Sequence, residues 1–346
     1  MYLVILLYGV LAFVAATNLI LMRRPGRGGD ARIAALIPAR NEESNLRRLV
    51  PVLAAQGFQV FVYDDDSDDG TAQTASEGGA TVLKGGKLPE GWTGKNHACH
   101  SLAKAAAEAS DAEHWVFLDA DVYPKDGFLE ALNELKRHAP VVTGFPEVLP
   151  GRGLEPLFLA WVGWILLATN PFGIVSRTRM GHNRFLNGQF VLWRASVYTQ
   201  LWPHEQMRDA ILEDVRIGRL LAKEEIRVET ADVSGVLAVR MYENWRQTLD
   251  GMSKNSFEIT GSAAGTLLLA ILMLVFGWAW VLVPWTLALF VFSGLCVVRL
   301  CRTPWWPALL MPIAASVGAF TLLRSLWWRR TGRTEWKGRT YSGGVK

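Results

Sequence analysis

Hydrophobic positions fall into two regimes along the chain. At both ends they form long unbroken runs, and between the ends short apolar runs alternate with mixed, helix-like stretches. Ile33-Ala34-Ala35-Leu36-Ile37-Pro38 reads as a buried strand closed by proline, and a helix opens within Ala39-Arg40-Asn41-Glu42-Glu43-Ser44 and runs to about Gln56. Val60-Phe61-Val62-Tyr63 is a second strand, followed by an acidic loop, a helix from Thr71 and a short strand at Thr81-Val82-Leu83. After a glycine-rich loop from Gly85 to Gly94, a helix is expected from Lys95 to about Ala109. Trp115-Val116-Phe117-Leu118 then forms a strand that ends in Asp119-Ala120-Asp121. Strands alternating with helices predict an α/β, Rossmann-like domain with a mostly parallel sheet covered on both faces. Ligands of such sheets bind beyond the carboxyl ends of the strands, where every acidic cluster of this segment lies.

The terminal runs belong to a different solvent. Tyr2 to Met22 is apolar over the roughly 20 residues that a bilayer crossing needs. No basic residue precedes it and Arg23, Arg24 and Arg27 follow at once, which is the reverse of a secretory signal and places the following segment in the cytosol. Ala263 to Val298 suits a tight helical hairpin broken near Pro284. Pro304 to Trp328 is a further candidate, with Trp305, Trp306, Trp327 and Trp328 at its ends as at a membrane interface. Three C-terminal crossings put the basic residues Arg329, Arg330 and Arg333 outside, two put them inside, and the expectation is a hairpin plus one further element. Leu154 to Val175, with Trp161 and Trp164, is expected to lie on the membrane. The predicted organisation is an N-terminal transmembrane helix (1–23), a cytosolic catalytic domain (30–260, with 154–175 interfacial), a C-terminal transmembrane region (263–328) and a basic tail (329–346).

Charge and cysteine content narrow the class. The net charge is only +4, and the basic residues sit beside the apolar runs, which suggests anionic lipid headgroups rather than nucleic acid. Cys99, Cys296 and Cys301 make no disulfide framework, as suits a reducing compartment. Neither G-x-G-x-x-G after the first strand nor G-x-x-x-x-G-K-[ST] occurs, which disfavours a dinucleotide oxidoreductase and a P-loop ATPase. His97, His100 and His182 have no metal-ligand spacing, and Trp92 and Trp245 suit either packing or substrate contact.

The acidic clusters carry the chemistry. Asp119-Ala120-Asp121 closes a strand with two hard oxygen ligands that suit Mg²⁺ or Mn²⁺, or it is an ordinary acidic turn. Asp64-Asp65-Asp66-Ser67 with Asp69-Gly70-Thr71 offers acceptors for a base and ribose, or a solvated turn with Thr71 as a helix N-cap. Glu213-Asp214 opens a helix, where the dipole favours carboxylates and a base for an acceptor hydroxyl could also sit. Arg40, Lys87, Lys95 and Arg246 are candidate phosphate partners.

Taken in order, Pro38-x-Arg40-Asn41-Glu42, Asp64-Asp65-x-Ser67-x-Asp69-Gly70-Thr71, Gly94-Lys95, Asp119-x-Asp121, Asn187-Gly188-Gln189-Phe190 and Glu213-Asp214 resemble family-2 glycosyltransferases of the GT-A fold, over Ala35 to about Lys254. Gly91-Trp92-Thr93-Gly94-Lys95-Asn96-His97-Ala98-Cys99 and Arg240 to Asn255, including Trp245 and Arg246, look like the membrane-bound branch that includes carotenoid-acid and hopanoid-associated enzymes. The resemblance implies that Pro38, Arg40 and Glu42 border the nucleotide, Asp64 and Asp65 bind the uracil-ribose portion, Lys95 lies near the donor, and Asp119 and Asp121 hold ribose-diphosphate and metal, with Asp121 the ligand. Asn187, Gly188 and Gln189, with Glu213, form the sugar and acceptor floor, and Asp214 is the base of an inverting displacement. Partners so implied are a nucleotide-sugar donor (UDP-glucose or a relative), a lipid acceptor and the membrane. Asp66 stands where the family usually has glycine. The Gln-x-x-Arg-Trp signature of processive synthases is absent, since Trp245-Arg246 reverses its end, which favours transfer of a single sugar over polymer synthesis. A third reading, an inactive scaffold, would be marked by loss of Asp121 or Asp214, and both are present.

Overall fold

The computed structural model describes residues 1–26, 28–29, 31–178, 185–260, 262–330, 335–336 and 339–340. Arg27, His182 and Arg333 therefore lie outside the described residues. The chain begins with α1 (Tyr2–Leu21), then β1 (Ile33–Ala39), α2 (Glu43–Ala55), β2 (Gln59–Asp64), α3 (Thr71–Glu77), β3 (Thr81–Lys84) and α4 (Gly94–Ala109). Next come β4 (His114–Leu118), β5 (Val122–Pro124), α5 (Phe128–Leu135), β6 (Val141–Phe145), β7 (Glu147–Val148), α6 (Glu155–Thr169), α7 (Phe172–Thr178) and β8 (Phe190–Arg194). The remainder is α8 (Ala195–Leu201), α9 (Pro203–Gln206), α10 (Glu213–Lys223), β9 (Val228–Asp232), β10 (Leu237–Val239), α11 (Trp245–Thr260), α12 (Ala263–Trp278), α13 (Thr286–Leu300) and α14 (Met311–Arg330).

These elements form two compact units, one of residues 22–147 and 175–239 and one of 1–21, 148–174 and 240–346. The first holds a seven-stranded sheet in the order β3-β2-β1-β4-β8-β6-β9. All neighbours are parallel except β8, which runs antiparallel to both β4 and β6. The chain lays β2 and β3 on one side of β1 and returns to place β4 on the other, so the strand order reverses at β1. At such a reversal the connections leave in opposite directions and open a crevice at the strand ends. Strands β1 and β4 are buried along nearly their whole length, as their unalternating apolar sequences require. Gly144 is needed where β6 meets β9, because a Cβ there would lie 2.6 Å from the Ala231 carbonyl oxygen.

Arg23 and Arg24, expected beside lipid headgroups, are bound by this unit instead. Arg23 Nε reaches Glu229 at 3.2 Å, Arg24 Nε reaches Asp232 at 2.9 Å, and the Arg23 carbonyl accepts from the Asp232 amide. Glu229 is wholly buried in β9 and also meets Arg227, so partners for its charge come from within the protein.

Among the described residues, the second unit contains three helices long and apolar enough to cross a membrane: Tyr2–Leu21, Ala263–Leu282 and Trp306–Arg329, with mean hydropathies of 2.4, 2.3 and 1.7. Helices α6 and α13 are apolar but shorter. Leu3, Leu6, Phe13, Ile20, Leu268 and Val275 are exposed, as lipid-facing side chains would be. Trp305 and Trp327 are exposed too, whereas Trp161 and Trp164 are packed inside the unit. Several polar groups among these helices are paired within the unit: Asn18 of α1 donates to the carbonyls of Leu167 (2.7 Å) and Asn170 (2.8 Å) and accepts from the Gly173 amide. Trp164 Nε1 donates to Ser293 Oγ at 2.7 Å. Arg324 on α14 is paired with Asp250 of α11 at 2.6 Å. Such internal pairing is what a low-dielectric surrounding demands. Trp161 packs closely against Gly318, where an added Cβ would sit 2.1 Å from its indole nitrogen.

Candidate active site

The two loops that leave β1 and β2 are stitched together. The Asn41 amide donates to Ser67 Oγ (2.9 Å), the Glu42 amide to Thr71 Oγ1 (2.9 Å) and the Glu43 amide to Asp69 (3.2 Å). In return the Gly70 amide donates to Glu43 (3.0 Å) and the Asp68 amide to Asn41 Oδ1 (2.9 Å). Ser67, Asp69 and Thr71 therefore serve the start of α2, and Gly70, not Thr71, occupies the cap position of α3. The helix after β1 begins only at Glu43 because Asn41 has a φ of +54°. Asp66 has a φ of +57°, in the left-handed region that glycine adopts without strain. Arg40 Nη1 donates to the Asp65 carbonyl at 2.6 Å, and the Asp65 amide donates to the Ala39 carbonyl at 2.8 Å. Pro38, Arg40, Glu42, Asp64 and Asp65 thus share one edge of the sheet, with Asp65 buried.

A second group gathers at the end of β4. Lys95, in the first turn of α4, places its Nζ 2.9 Å from Asp119 and 3.2 Å from Glu213. Glu213 and Asp214 open α10, and Asp214 Oδ1 accepts from the Val215 amide at 2.8 Å. Gly188 borders all of these: a Cβ there would lie 3.3 Å from Lys95 Nζ and 3.5 Å from the nearest carboxylate oxygens of Asp214 and Glu213. The Asn187 side chain is used in its own turn, donating to the Gly144 carbonyl (3.0 Å) and accepting from the Gln189 amide (3.2 Å). The Gln189 carbonyl accepts from the Asp119 amide at 3.2 Å. A crevice is lined by Pro38, Lys95, Asp119, Gly188, Glu213 and Asp214. Cys99, Trp193 and His204 line it as well, and of these only Cys99 falls within a sequence motif.

Burial and charge work against each other here. Burial lowers the affinity of Lys95 for its proton, but Asp119 and Glu213 outweigh it and hold the ammonium charged well beyond the ordinary lysine range. Burial raises the pKa of Glu213 and Asp214, with Lys95 opposing the rise in each case. Asp121 is pushed up to about 7, first by burial and then by the charges of Asp119 and Glu42. Its Oδ1 is buried and has no hydrogen-bond partner. Among the described residues no group of three or more His, Cys, Asp or Glu side chains could enclose a metal ion by itself. A buried, unpartnered carboxylate oxygen amid excess negative charge nevertheless fits a divalent cation whose other ligands come from a phosphate and water. Trp245 and Arg246 begin α11 in the other unit, and both are exposed.

Known proteins resemble this chain over the same region. A family model described as "Glycosyltransferase like family 2" matches residues 31–254. A 4,4'-diaponeurosporenoate glycosyltransferase of Staphylococcus haemolyticus is 28% identical over 64% of this chain. One of Staphylococcus aureus (strain USA300) is 26% identical over 71% of it. The matches span 60% and 66% of those proteins' own lengths. The solved structure of a mannosyltransferase from Pyrobaculum calidifontis, in complex with GDP-Man and Mn²⁺, is 15% identical. It superposes with a TM-score of 0.52, covering 93% of this chain and 97% of that one, and so shares the fold. With the parallel sheet, the crevice at its switch point and the family match over most of the sheet unit, the chain belongs to the glycosyltransferase family 2-like proteins.

Proposed function

We propose that the protein is an inverting glycosyltransferase that moves one sugar from a nucleotide-sugar donor, UDP-glucose or a relative, to a membrane lipid such as a carotenoid or hopanoid. The observation that carries it is the Lys95 ammonium held between Asp119 and Glu213, with Asp214 alongside, at the strand-order reversal of a glycosyltransferase-family sheet. Pro38, Arg40, Glu42, Asp64 and Asp65 border the nucleotide. Asp119 and Lys95 meet the ribose and diphosphate. Asp121 holds the divalent cation, Mg²⁺ or Mn²⁺, which when bound neutralises charge on the departing diphosphate. Gly188 gives the sugar room. The acceptor oxygen attacks the anomeric carbon, the bond from that carbon to the diphosphate oxygen breaks, and the nucleoside diphosphate leaves with the electron pair. Asp214 takes the acceptor's proton, for which its raised pKa suits it at neutral pH. Lys95 remains charged throughout and offsets the negative charge of the three carboxylates around it.

The apolar helices support a membrane-embedded enzyme with the sheet unit on the cytosolic side, where nucleotide sugars are available, and a lipid acceptor drawn from the bilayer. The names of the staphylococcal relatives support a carotenoid-type acceptor. The test is turnover of UDP-glucose with Mn²⁺ by the detergent-purified chain and its Asp214→Asn variant. Donor binding should persist in the variant while turnover is lost; equal turnover would remove Asp214 as the base.

A further inference from the structure

Asn96, next to Lys95 in the first turn of α4, is completely buried. Its side-chain Nδ2 donates to the carbonyls of Met207 at 2.6 Å and Ala210 at 2.9 Å, with Arg208 at 3.4 Å as a longer third contact. The neighbouring Thr93 adds a backbone bond from its amide to the Arg208 carbonyl at 2.7 Å, and its Oγ1 caps α4 by accepting from the Asn96 amide. The first turn of α4 thus grips one short segment, Met207 to Ala210, through several of that segment's carbonyls.

That segment matters for its position. It lies between the short helix α9 and α10, and only Ile211 and Leu212 separate Ala210 from Glu213-Asp214. Within it Arg208 and Asp209 are exposed, while Met207 packs against the core and Ala210 is buried, so apolar packing anchors its two ends and not its middle. An irregular chain of this kind takes its placement from hydrogen bonds to its carbonyls. Each Nδ2 proton has one short acceptor, a geometry that asparagine supplies and no apolar residue can. Asn96 Oδ1 is buried and has no hydrogen-bond partner, so a full set of its own bonds has been given up for the three on Nδ2.

We propose that Asn96 is a positioning residue for Asp214. Through the Met207–Ala210 carbonyls it fixes where α10 begins, and so how Asp214 stands relative to the Lys95 that the same helix turn presents. Adjacent residues of α4 thereby act on the two sides of the crevice: Lys95 by charge on Asp119 and Glu213, Asn96 by backbone grip on the segment leading to Asp214. The inference rests on the transferase reading, since it assigns a purpose to the placement of the base. Displacing a catalytic group by about 1 Å costs about 10²-fold in rate, while donor binding at Asp65, Asp119 and Asp121 does not pass through this segment.

The experiment uses the full chain in detergent, with UDP and Mn²⁺ as the binding probe and UDP-glucose turnover as the rate. Asn96→Ala and Asn96→Asp both remove the Nδ2 donors, the second at nearly constant size. The expected result is a UDP dissociation constant within about threefold of wild type, a donor KM similarly unchanged, and kcat per UDP-binding site lowered by about 10²-fold. Hydrogen–deuterium exchange should rise in peptides covering 207–214 and stay unchanged in those of β1 and β4. Wild-type kcat per binding site in both variants, or exchange raised equally throughout the sheet, would overturn the assignment. Failure of the wild-type chain to bind UDP or any other nucleoside diphosphate would overturn the transferase reading and this inference with it.

Discussion

Single side chains here have jobs that separate cleanly by experiment. On the proposed mechanism Asp214→Asn removes the proton acceptor but keeps the shape, so kcat should fall by at least about 10²-fold while calorimetry finds UDP bound as before. Asp214 is raised by burial, with Lys95 opposing, and only its ionised form can accept a proton. The rate should therefore rise with pH as Asp214 loses its proton, with the acid limb of the kcat profile above the ordinary aspartate value of about 3.9. That limb should vanish from the residual activity of the Asn variant. Asp121→Ala should instead abolish the Mn²⁺-dependent part of UDP binding, visible in the same titration with and without a chelator. Gly188→Ala tests the sugar's space: its methyl would press on Lys95 Nζ and fill the gap beside Asp214 and Glu213 at ordinary contact distance, so sugar-nucleotide affinity should drop while that of UDP alone is little changed. At Asp66 the strain is in the backbone. Its φ of +57° predicts that Asp66→Gly raises stability by up to about 1 kcal/mol, read as an upward shift in the thermal midpoint.

Among elements, buried charge and close approach set the sensitive points. Glu229 of β9 is wholly enclosed and answered by Arg23 and Arg227, both of which reach solvent, and Arg227 also donates to the Ser176 carbonyl. Glu229→Ala should therefore cost less than the roughly 3 to 5 kcal/mol of leaving a fully buried charge unpaired, and denaturant unfolding of the sheet unit should register it. Gly318 plays the comparable part among the helices. Any side chain there meets the Trp161 indole, so Gly318→Leu should loosen α6 from α14 and lower thermal stability in detergent without altering UDP affinity.

For the whole molecule, the prediction concerns lipids. Mass spectrometry of extracts from cells with and without the protein should find a hexose-bearing lipid, about 162 Da above its precursor by the chemistry of glycosyl transfer, present only with the active chain and missing with Asp214→Asn. The acceptor's own chemistry is readable too. A hydroxyl must lose its proton in the reaction, whereas a carboxylate carries none at neutral pH. Loss of the glycolipid with Asp214→Asn would therefore mark a hydroxyl acceptor. The exposed apolar helices and the crevice belong to separate compact units, and a lipid-borne acceptor is the substrate class that gives both a use.

Periodicity and local chemistry are properties of the sequence itself, which is why they could be read directly. The alternation of strands and helices, the apolar runs at the ends and the order of the motifs led to the family and the sheet, because burial dictates composition locally. The division of labour inside the motifs could not be read that way. Ser67, Asp69 and Thr71 look like ligand-binding polar residues but are spent on capping a neighbouring loop. Asn187 ties its own turn to the Gly144 carbonyl of β6, and Asn96 belongs to no acidic cluster yet binds the carbonyls of Met207 and Ala210 just before Glu213-Asp214. Lys95 meets Glu213 across more than a hundred residues of chain. Contacts of that kind follow from where a strand order reverses, a global outcome of packing to which no stretch of sequence carries the key.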